Sequence, residues 1–358
     1  MKIIKLNLNE RSCPIYIGAN LSKIGEISSK FNLGEKVLII SNAYILSLYG
    51  KVVEKSLKET GFDIFLTRVP EGEKYKSLSE AIKLYKYCLK YKLDRSSTIL
   101  SLGGGVIGDL SGFVAATYLR GVNFINIPTT LLSQVDASIG GKVAVNLAAG
   151  KNLVGSFYQP KLVYMDLSLL KTLPSKEIKN GMAEIVKYGI IKDAQFFSYL
   201  EENLEKIKNL NEEALNLIIT RSVEIKVKVV EEDEREEKGK REILNFGHTF
   251  GHALEKATDY KGYTHGEAVA IGMVIASKIA CKMGIFGEES LLRLKKLLER
   301  ICLPTEAGKI DKEKWWNALY LDKKKREGKL RFLLPQRIGK VILTEEVPSS
   351  FIREIFGK

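Results

Sequence analysis

Short apolar runs and longer amphipathic stretches alternate along the first half of the chain. The apolar runs are rich in β-branched residues and predict buried strands, while the amphipathic stretches predict helices between them. Strands are predicted at 1–7, 36–41, 63–69, 98–102, 124–128 and 162–166, and helices at 43–60 and 77–92. Because strands separated by helices pair in parallel through crossover connections, residues 1–174 are predicted to form an α/β domain of the nucleotide-binding type.

Beyond Pro174 the strand pattern gives way to apolar residues at helical spacing. Helices are predicted at 175–188, 193–206, 211–232, 241–256, 266–282 and 288–300, followed by a short hairpin near 330–334 and 340–343. The chain is thus predicted to combine two fold classes, α/β and all-α, with a helical second domain over residues 175–358. Its 358 residues are ample for two domains.

The charge of the chain favours an anionic small molecule over nucleic acid as its partner. Hydrophobic residues make up 45% and charged residues 28%, values that are ordinary for a soluble globular enzyme. The net charge of +13 is high, but the lysines are mostly interspersed with glutamates instead of forming a basic arm. The densest basic run, 323–326, is short and is interpreted as a solvated face. We therefore expect no nucleic-acid partner.

The cysteines and the apolar segments predict a cytoplasmic protein without a membrane partner. Cys13, Cys88, Cys281 and Cys302 show neither Cys-x-x-Cys pairing nor metal-ligand spacing, which is typical of reduced thiols. The N-terminus has no long apolar region of the kind found in signal peptides. The longest apolar stretch, 268–280, contains Gly, Ser and Lys and is too short to span a bilayer.

All three histidines of the chain, His248, His252 and His265, fall within one short stretch. His248 and His252 are four residues apart, so a helix projects both rings from one face. His265 begins the next apolar helix and could meet them. Because neutral imidazole is a preferred ligand of zinc-like cations, this concentration favours a metal site over three separate packing roles.

Glu184 lies between apolar neighbours in the segment 181–188, which suggests a carboxylate that faces inward. A buried carboxylate needs a partner, and both Lys187 at i+3 and a metal ion are candidates. With His248 and His265, Glu184 would make a site of two imidazoles and one carboxylate. Three protein ligands with open positions are typical of catalytic zinc, which can acidify a hydroxyl as a Lewis acid.

A glycine-rich turn follows the predicted strand at 98–102 and opens a helix. Gly103, Gly105 and Gly108 form a Gly-x-Gly-x-x-Gly pattern in the strand–turn–helix context that lets the backbone approach a pyrophosphate. The acidic ribose partner that usually follows about 20 positions later is missing, since no Asp or Glu lies between Asp109 and Asp136. A dinucleotide held in a variant manner is therefore predicted.

Four further polar segments mark candidate ligand contacts: residues 70–76, 129–130, 136–142 and 150–152. The first two leave predicted strands at their carboxyl ends, where parallel sheets bind ligands. In the last two segments, taken together, two lysines and an asparagine lie among glycines. This composition is equally compatible with a phosphate cradle and with a flexible surface loop.

These motifs, taken in order, resemble the 3-dehydroquinate synthase family of the shikimate pathway of aromatic amino-acid biosynthesis. The resemblance runs nearly from end to end of the chain. It is carried by residues 103–109, 128–132, 134–142 with Asn146, 150–152, 173–174, 181–187, 233–234, 244–255 and 265–273.

The resemblance implies a homodimer in which a Rossmann-like parallel α/β NAD-binding domain precedes a helical metal-binding domain. The implied enzyme converts 3-deoxy-D-arabino-heptulosonate 7-phosphate into 3-dehydroquinate and phosphate, using NAD and a divalent metal, Zn2+ or Co2+. NAD is catalytic in this reaction because a substrate hydroxyl is oxidised and later reduced again. Between these steps phosphate leaves by β-elimination, and the carbocycle then closes by aldol addition.

The resemblance also implies roles for individual residues. The metal ligands would be Glu184, His248 and His265. NAD would be contacted by Asn42, Glu73, Lys76, Gly104, Gly105, Val106, Ile107, Gly108, Asp109, Thr129, Thr130, Lys142, Lys151 and Thr172. The substrate would be contacted by Asp136, Lys142, Lys151, Asn152, Lys187, Lys226, Arg241, Asn245 and His252, by Lys323 or Lys324, and by Arg120 of the partner subunit. His252 is expected to handle protons and phosphate instead of binding the metal.

The chain departs from the family pattern at two positions and in the length of one loop. Asn42 stands where many members have aspartate, and Lys240 stands where leucine is usual. The loop between Lys226 and Arg241 carries an extra residue, and its acidic run, 231–237, is interpreted as a solvated turn. None of these departures involves the implied metal ligands.

Other function classes remain open. A metal-dependent NAD alcohol or glycerol dehydrogenase shares this layout, but a neutral alcohol requires no cationic cluster such as Lys142, Lys151 and Arg241. Another sugar-phosphate cyclase, making an aminocyclitol precursor or a valiolone, would differ in the groups that meet the substrate carboxylate, which we expect to be Lys226 and Arg241. A basic nucleic-acid-binding protein would show salt-sensitive retention on DNA and no dependence on chelators.

Overall fold

The computed structural model describes residues 1–325 and 331–355, without the side chains of residues 320–325 and 355. The chain divides into two units. The first consists of Met1–Leu173 together with Lys226–Glu231, and the second of Pro174–Ile225 and Glu232–Lys358.

A seven-stranded sheet forms the centre of the first unit, with the strand order β1-β2-β9-β6-β5-β3-β4. All neighbours pair in parallel except β1 and β2, which are antiparallel. A separate antiparallel hairpin, β7–β8, completes the unit. The strands are β1 (Lys2–Leu6), β2 (Cys13–Ile17), β3 (Lys36–Ser41), β4 (Asp63–Arg68), β5 (Thr98–Gly103), β6 (Asn123–Pro128), β7 (Lys142–Leu147), β8 (Gly150–Phe157) and β9 (Leu162–Met165).

Helices cover both faces of this sheet because its central strands are apolar on both sides. Val37 and Ile39 of β3 belong to one buried cluster, and Leu38 and Ile40 belong to the other. Continuous apolar runs of this kind are expected in parallel strands. The helices of the unit are α1 (Ile24–Ser28), α2 (Ala43–Ile45), α3 (Lys51–Lys58), α4 (Leu78–Lys90) and α5 (Gly105–Thr117), and a π-helical turn, Leu46–Gly50, joins α2 to α3.

The strand order places a topological switch point between β3 and β5. From β3 the chain continues to β4 on one side, whereas from β5 it continues to β6 on the other. Ligands of open α/β sheets bind at such a point, outside the carboxyl ends of the strands. Asn42 directly follows β3, and Gly104 directly follows β5. The sheet thus brings two predicted NAD contacts to this one edge.

The second unit is helical around α10, which is buried on nearly every side. A helix that is apolar all round belongs in the middle of a bundle. The elements of this unit are α6 (Ser175–Lys192), α7 (Ala194–Lys208), α8 (Glu212–Glu232), α9 (His248–Ala257), α10 (His265–Lys282), α11 (Glu288–Arg300), α12 (Lys312–Lys325), β10 (Phe332–Arg337), β11 (Lys340–Thr344) and α13 (Ser349–Ile355). Residues 226–231 of α8 belong to the first unit. Within the described residues no helix is both long enough and apolar enough to cross a membrane.

The fold class expected from the sequence, a parallel α/β domain followed by a helical domain, is confirmed. For residues 136–142 and 150–152 the sequence left a phosphate cradle and a flexible loop open, and the structure includes Lys142 and residues 150–152 in the hairpin β7–β8. One local expectation was wrong. The single helix expected at 241–256 is a 3-10 turn, Lys240–Asn245, followed by α9, because Gly247 adopts φ +80° and breaks the helix. Strands β2, β7 and β8 and helices α1, α12 and α13 were not predicted.

Candidate metal centre and nucleotide-binding residues

Glu184, His248 and His265 come together from three helices of the second unit, α6, α9 and α10. One ligand atom from each lies within 4.8 Å of the others. The Nε2 atom of His248 lies 3.6 Å from Oε1 of Glu184, and Nε2 of His265 lies 3.5 Å from the same oxygen. The Glu184 side chain is fully buried, and the two imidazoles are partly buried.

These separations fit a tetrahedral cation of the zinc type. Metal–ligand distances of about 2.1 Å and a tetrahedral angle place neighbouring ligand atoms about 3.4 Å apart. The two measured N···O separations, 3.5 and 3.6 Å, are close to that value. Two imidazole nitrogens and one carboxylate oxygen are also the donor set of many catalytic zinc sites. Two of the three ligand separations therefore suit a tetrahedral divalent cation, and the third lies within 4.8 Å.

Glycines allow the helices of the cluster to approach each other. A Cβ atom on Gly272 of α10 would lie 1.9 Å from the carbonyl oxygen of Gly247, directly before α9. A Cβ on Gly251 would lie 2.9 Å from the carbonyl oxygen of Ala268. No larger residue fits at either crossing unless the backbones separate. The distance between the histidines of α9 and His265 of α10 therefore depends on these glycines.

Helix α10 is also fixed at its first turn. The Gly266 amide donates to Oδ1 of Asn180 on α6, at 2.5 Å. Thr264 caps the helix, and Glu267 completes the capping box by accepting from the Thr264 amide at 2.7 Å. This end carries His265, so the same contacts position the imidazole relative to Glu184.

Opposite charges balance Glu184 inside the unit. Its Oε2 atom forms an ion pair with Lys187 one helical turn later, while Oε1 faces the imidazoles. Lys187 is itself only 1% exposed. A buried carboxylate and a buried ammonium compensate each other's loss of hydration. One carboxylate oxygen is thus occupied by the lysine, and the other is oriented toward the candidate metal position.

The two imidazoles respond differently to this environment. Burial lowers the pKa of His248 to about 3, although the charge of Glu184 acts in the opposite direction. Burial also opposes a charge on His265, but contacts with Glu184 and Glu255 outweigh it and raise the pKa of this ring to about 10. The ring of His248 is therefore neutral at pH 7 and suited to bind a cation.

His252 lies beside the cluster and is exposed. Its ring centroid is 5.1 Å from that of His248 and 6.0 Å from that of His265. Together with Glu255 and His265 it forms a second group of potential ligand atoms within 4.8 Å of one another. The expectation that His252 handles protons and does not bind the metal stays a prediction.

Within the acidic run 231–237, which is mostly exposed as expected for a solvated turn, Asp233 is an exception. Asp233 is 3% exposed and accepts hydrogen bonds from the backbone amides of Glu237, Lys238 and Arg241. The guanidinium of Arg241 donates to the carbonyl of Glu234 at 2.7 Å. Asp233 thereby organises the loop that presents Arg241, and Asn245 follows it, partly buried, at the end of the 3-10 turn.

In the first unit, the glycine-rich turn has the geometry expected for phosphate binding. Gly103 ends β5, and α5 begins at Gly105, so Gly104 to Asp109 form the N-terminal end of a 13-residue helix. A Cβ on Gly104 would lie 3.0 Å from the Thr130 side chain. The amide of Thr129 donates to the carbonyl of Gly103 at 3.0 Å. Backbone donors and helix dipole thus converge at the end of β5.

Lys76 connects several of the predicted NAD and substrate contacts. Its buried ammonium forms an ion pair with Asp109 and donates to Oδ1 of Asn152 at 2.6 Å. Burial raises the pKa of Asp109, and the charge of Lys76 counters this shift. Asn146 extends the network, since its Oδ1 accepts from the Asn152 amide at 2.9 Å and its Nδ2 donates to Oε1 of Glu73 at 2.7 Å.

Asp136 and Lys226 form a second polar pair. The Lys226 ammonium donates to both Oδ1 and the backbone carbonyl of Asp136, each at 2.6 Å. Asp136 lies in a π-helical turn, Ser133–Ala137, a deviation that is frequent at functional sites.

Other predicted contacts do not share a loop. Lys142 pairs with Phe157 at one end of the β7–β8 hairpin, whereas Lys151 lies next to the turn at the other end. Their backbones are thus separated by about 14 Å along the strand. Asn42 caps α2 through the Ile45 amide, and Thr172 contacts the Tyr49 hydroxyl at 2.5 Å. Arg120 is exposed. The side chains of Lys323 and Lys324 lie outside the described part.

Two protein-family matches together cover most of the chain. Residues 66–180 match the family described as 3-dehydroquinate synthase N-terminal, and residues 181–325 match the family described as 3-dehydroquinate synthase C-terminal. The chain belongs to the 3-dehydroquinate synthase family. A 3-dehydroquinate synthase of Rippkaea orientalis is 49% identical over 99% of this chain and 97% of the relative. One of Desulforamulus reducens is 46% identical, with both chains covered completely.

Solved structures of related cyclases have the same fold. A 2-deoxy-scyllo-inosose synthase complexed with carbaglucose-6-phosphate, NAD+ and Co2+ has a TM-score of 0.89 at 28% identity, and 99% of each chain is covered. A 2-epi-5-epi-valiolone synthase from Streptomyces hygroscopicus with NAD+ and Zn2+ bound has a TM-score of 0.89 at 27% identity, covering 98% of this chain and 97% of that one. The resemblance to the 3-dehydroquinate synthase family drawn from the sequence is confirmed.

Proposed function

We propose that this protein is a 3-dehydroquinate synthase, a carbon–oxygen lyase that converts 3-deoxy-D-arabino-heptulosonate 7-phosphate into 3-dehydroquinate and phosphate. NAD and one divalent cation, Zn2+ or Co2+, are its proposed cofactors. The observation that carries the proposal is identity of 45–49% to 3-dehydroquinate synthases along essentially the whole chain. The cluster of Glu184, His248 and His265 supports it, because its donor atoms suit such a cation.

The chemistry divides between the cofactors and the side chains. When bound, NAD supplies a reversible hydride acceptor and the cation supplies Lewis-acid polarisation of substrate oxygens. Glu184, His248 and His265 would hold the cation, and the amides at Gly104 to Asp109 would bind the NAD pyrophosphate. His252 is exposed beside the cluster, where we propose that it moves protons and contacts phosphate.

The remaining proposed contacts are mostly cationic, as an anionic substrate requires. An ammonium or guanidinium forms strong charge-assisted hydrogen bonds with phosphate and carboxylate groups. Lys226 and Arg241 are proposed to meet the substrate carboxylate. The proposed substrate contacts are Asp136, Lys142, Lys151, Asn152, Lys187, Lys226, Arg241, Asn245, His252 and Arg120 of the partner subunit. The proposed NAD contacts are Asn42, Glu73, Lys76, Gly104 to Asp109, Thr129, Thr130, Lys142, Lys151 and Thr172.

The proposal includes a homodimer located in the cytoplasm. Four cysteines without a disulfide support a reducing compartment. The exposed position of Arg120 is compatible with a residue that acts on a second subunit. Sedimentation at two protein concentrations tests the dimer, and loss of activity in Arg120→Ala that is restored by mixing with His248→Ala would support the exchange of this residue between subunits.

A phosphate-release assay tests the proposed reaction directly. The purified protein is given the heptulosonate 7-phosphate with and without chelator, and with and without added NAD. We expect release of phosphate that stops on chelation and returns with Zn2+ or Co2+. Absence of metal-dependent release from folded protein would contradict the proposal.

Sugar phosphates that lack a carboxylate serve as the comparison substrates in this assay. The related cyclases of known structure make this control necessary, since 27–28% identity does not separate substrates. We expect at least a hundredfold preference for the carboxylate-bearing substrate, because a neutral group cannot replace the charge-assisted hydrogen bonds that Lys226 and Arg241 are proposed to form with the carboxylate. Equal rates would instead favour another cyclase activity.

A further inference from the structure

The two histidines of the candidate metal cluster differ in what faces their second ring nitrogen. In both rings Nε2 is directed at Oε1 of Glu184. The Nδ1 atom of His248 lies 3.2 Å from the backbone carbonyl of Phe246, a neutral acceptor. The Nδ1 atom of His265 lies 3.7 Å from Oε2 of Glu255, a carboxylate.

Glu255 is placed for this contact by its own helix. It follows His248 by seven residues and His252 by three, so α9 projects all three side chains from one face. Glu255 is 5% exposed, although carboxylates are seldom buried without a partner. The 3.7 Å separation lies within the range of an ion pair, although it is longer than an ordinary hydrogen bond.

We propose that Glu255 is a positioning residue that orients His265 through Nδ1 and strengthens its Nε2 as a metal ligand. This inference rests on the cation site of the proposed function. A carboxylate behind a ligating histidine fixes the proton on Nδ1, fixes the plane of the ring and raises the basicity of the ligand nitrogen. The carbonyl behind His248 fixes a tautomer but adds no charge. Glu255 therefore makes His265 the stronger of the two imidazole ligands.

Glu255 acts through His265 and does not bind a cation of its own. The group of His252, Glu255 and His265 is more open to solvent than the group of Glu184, His248 and His265. His252 is exposed, whereas Glu184 is fully buried. In addition, the ring of His265 is oriented so that its Nε2 faces Oε1 of Glu184, in the group formed with His248. One cation per chain is therefore expected.

The test compares Co2+ binding by the full-length wild type, Glu255→Ala, Glu255→Gln and the control Glu267→Gln. Glu267 lies on the same helix as His265, and a glutamine there can still accept from Thr264 and keep the capping box. The change therefore removes a carboxylate charge near the site without altering the contact at Nδ1. Circular dichroism of the metal-free proteins establishes that each variant is folded. Competition with a chromogenic chelator gives affinity and stoichiometry, and the visible spectrum of Co2+ reports its coordination.

We expect one Co2+ per chain and a 10–100-fold loss of affinity in Glu255→Ala, with a changed Co2+ spectrum. Glu255→Gln, which keeps the shape and an acceptor oxygen, should lose less, and Glu267→Gln should stay within about twofold of wild type. Wild-type affinity and spectrum in both Glu255 variants would overturn the positioning role alone. A second Co2+ that is lost with Glu255 would overturn it in favour of a direct ligand. Failure of the wild type to bind Co2+ would overturn the proposed function as well.

Discussion

The candidate metal cluster of the second unit and the Lys76 network of the first unit are both polar, but they are built in different ways. Glu184, His248 and His265 are carried by three helices that approach each other through glycines. Lys76, Asp109 and Asn152 come from a loop, a helix start and a hairpin, and side-chain hydrogen bonds connect them. The first arrangement depends on backbone packing, and the second depends on a chain of side-chain contacts.

The two regions should therefore respond differently to mutation. Packed helices are not continuously deformable, so loss of a candidate ligand or of a crossing glycine should have a large effect. A hydrogen-bonded network with several members can adjust, so single substitutions should have graded effects. Substitutions of His248, Gly272, Lys151 and Asn146 test this contrast.

His248→Ala should remove metal-dependent turnover, with a loss of more than about a hundredfold, because one of three protein ligands is gone. The fold should be retained, since His248 is partly buried at the first position of α9. Phosphate release and Co2+ binding measure the effect, and circular dichroism checks the fold. A nearly normal rate would remove His248 from the ligand set.

Gly272→Ala should destabilise the second unit by about 3 kcal/mol, because overpacking at a backbone contact forces the helices apart. The added Cβ would lie 1.9 Å from the carbonyl oxygen of Gly247. Urea unfolding measures the change in free energy. Gly308→Ala is the matched control, since its Cβ meets only the Tyr263 hydroxyl, at 3.4 Å. Equal stability of the two variants would show that the helix crossing is adjustable.

Lys151→Ala should raise the KM for the phosphorylated substrate about tenfold, with a smaller effect on kcat, because one charge-assisted contact with phosphate is lost. Lys161→Ala, an exposed lysine of the same unit, controls for the change in net charge. Steady-state kinetics at fixed ionic strength separate the two parameters. If KM is the same in both variants, Lys151 has no specific phosphate contact.

Asn146→Ala should weaken NAD binding only a few-fold, because it loses hydrogen bonds to Asn152 and Glu73 but leaves Lys76 paired with Asp109. Asn152 adopts φ +56°, and the hydrogen bond that its backbone amide donates to Oδ1 of Asn146 helps to hold this conformation. Ser156→Ala, an exposed change in the same hairpin, is the control. Isothermal titration with NAD measures the effect, and a loss beyond a hundredfold would contradict the idea of an adjustable network.

Local patterns in the sequence were sufficient for the order and type of most elements. Apolar runs identified the parallel strands, and helical spacing identified the core of the second unit. The concentration of all histidines in one stretch, with Glu184 among apolar neighbours, predicted a site that the structure brings together. These features could be predicted from the sequence because each depends mainly on the type and spacing of residues that are close along the chain.

Pairings between distant residues could not be read in the same way. Lys76 meets Asp109 and Asn152, which are 33 and 76 positions away, and Asn180 meets the Gly266 amide 86 positions away. Glu255 was visible as a helical neighbour of His248 and His252, but nothing in that spacing indicated His265. Asp233 looked like one acid among several, and only its burial identified it as the centre of a loop.

The sequence by itself determined which residues could ligate a cation and which turn could receive a pyrophosphate, because residue type and local spacing dictate that chemistry. Only the tertiary structure decided how the imidazoles are oriented, with Nε2 of each directed at Glu184 and a different acceptor behind each Nδ1. The reason is physical: ring orientation follows from the distance between packed helices, and glycines such as Gly272 set that distance through contacts that no local pattern encodes.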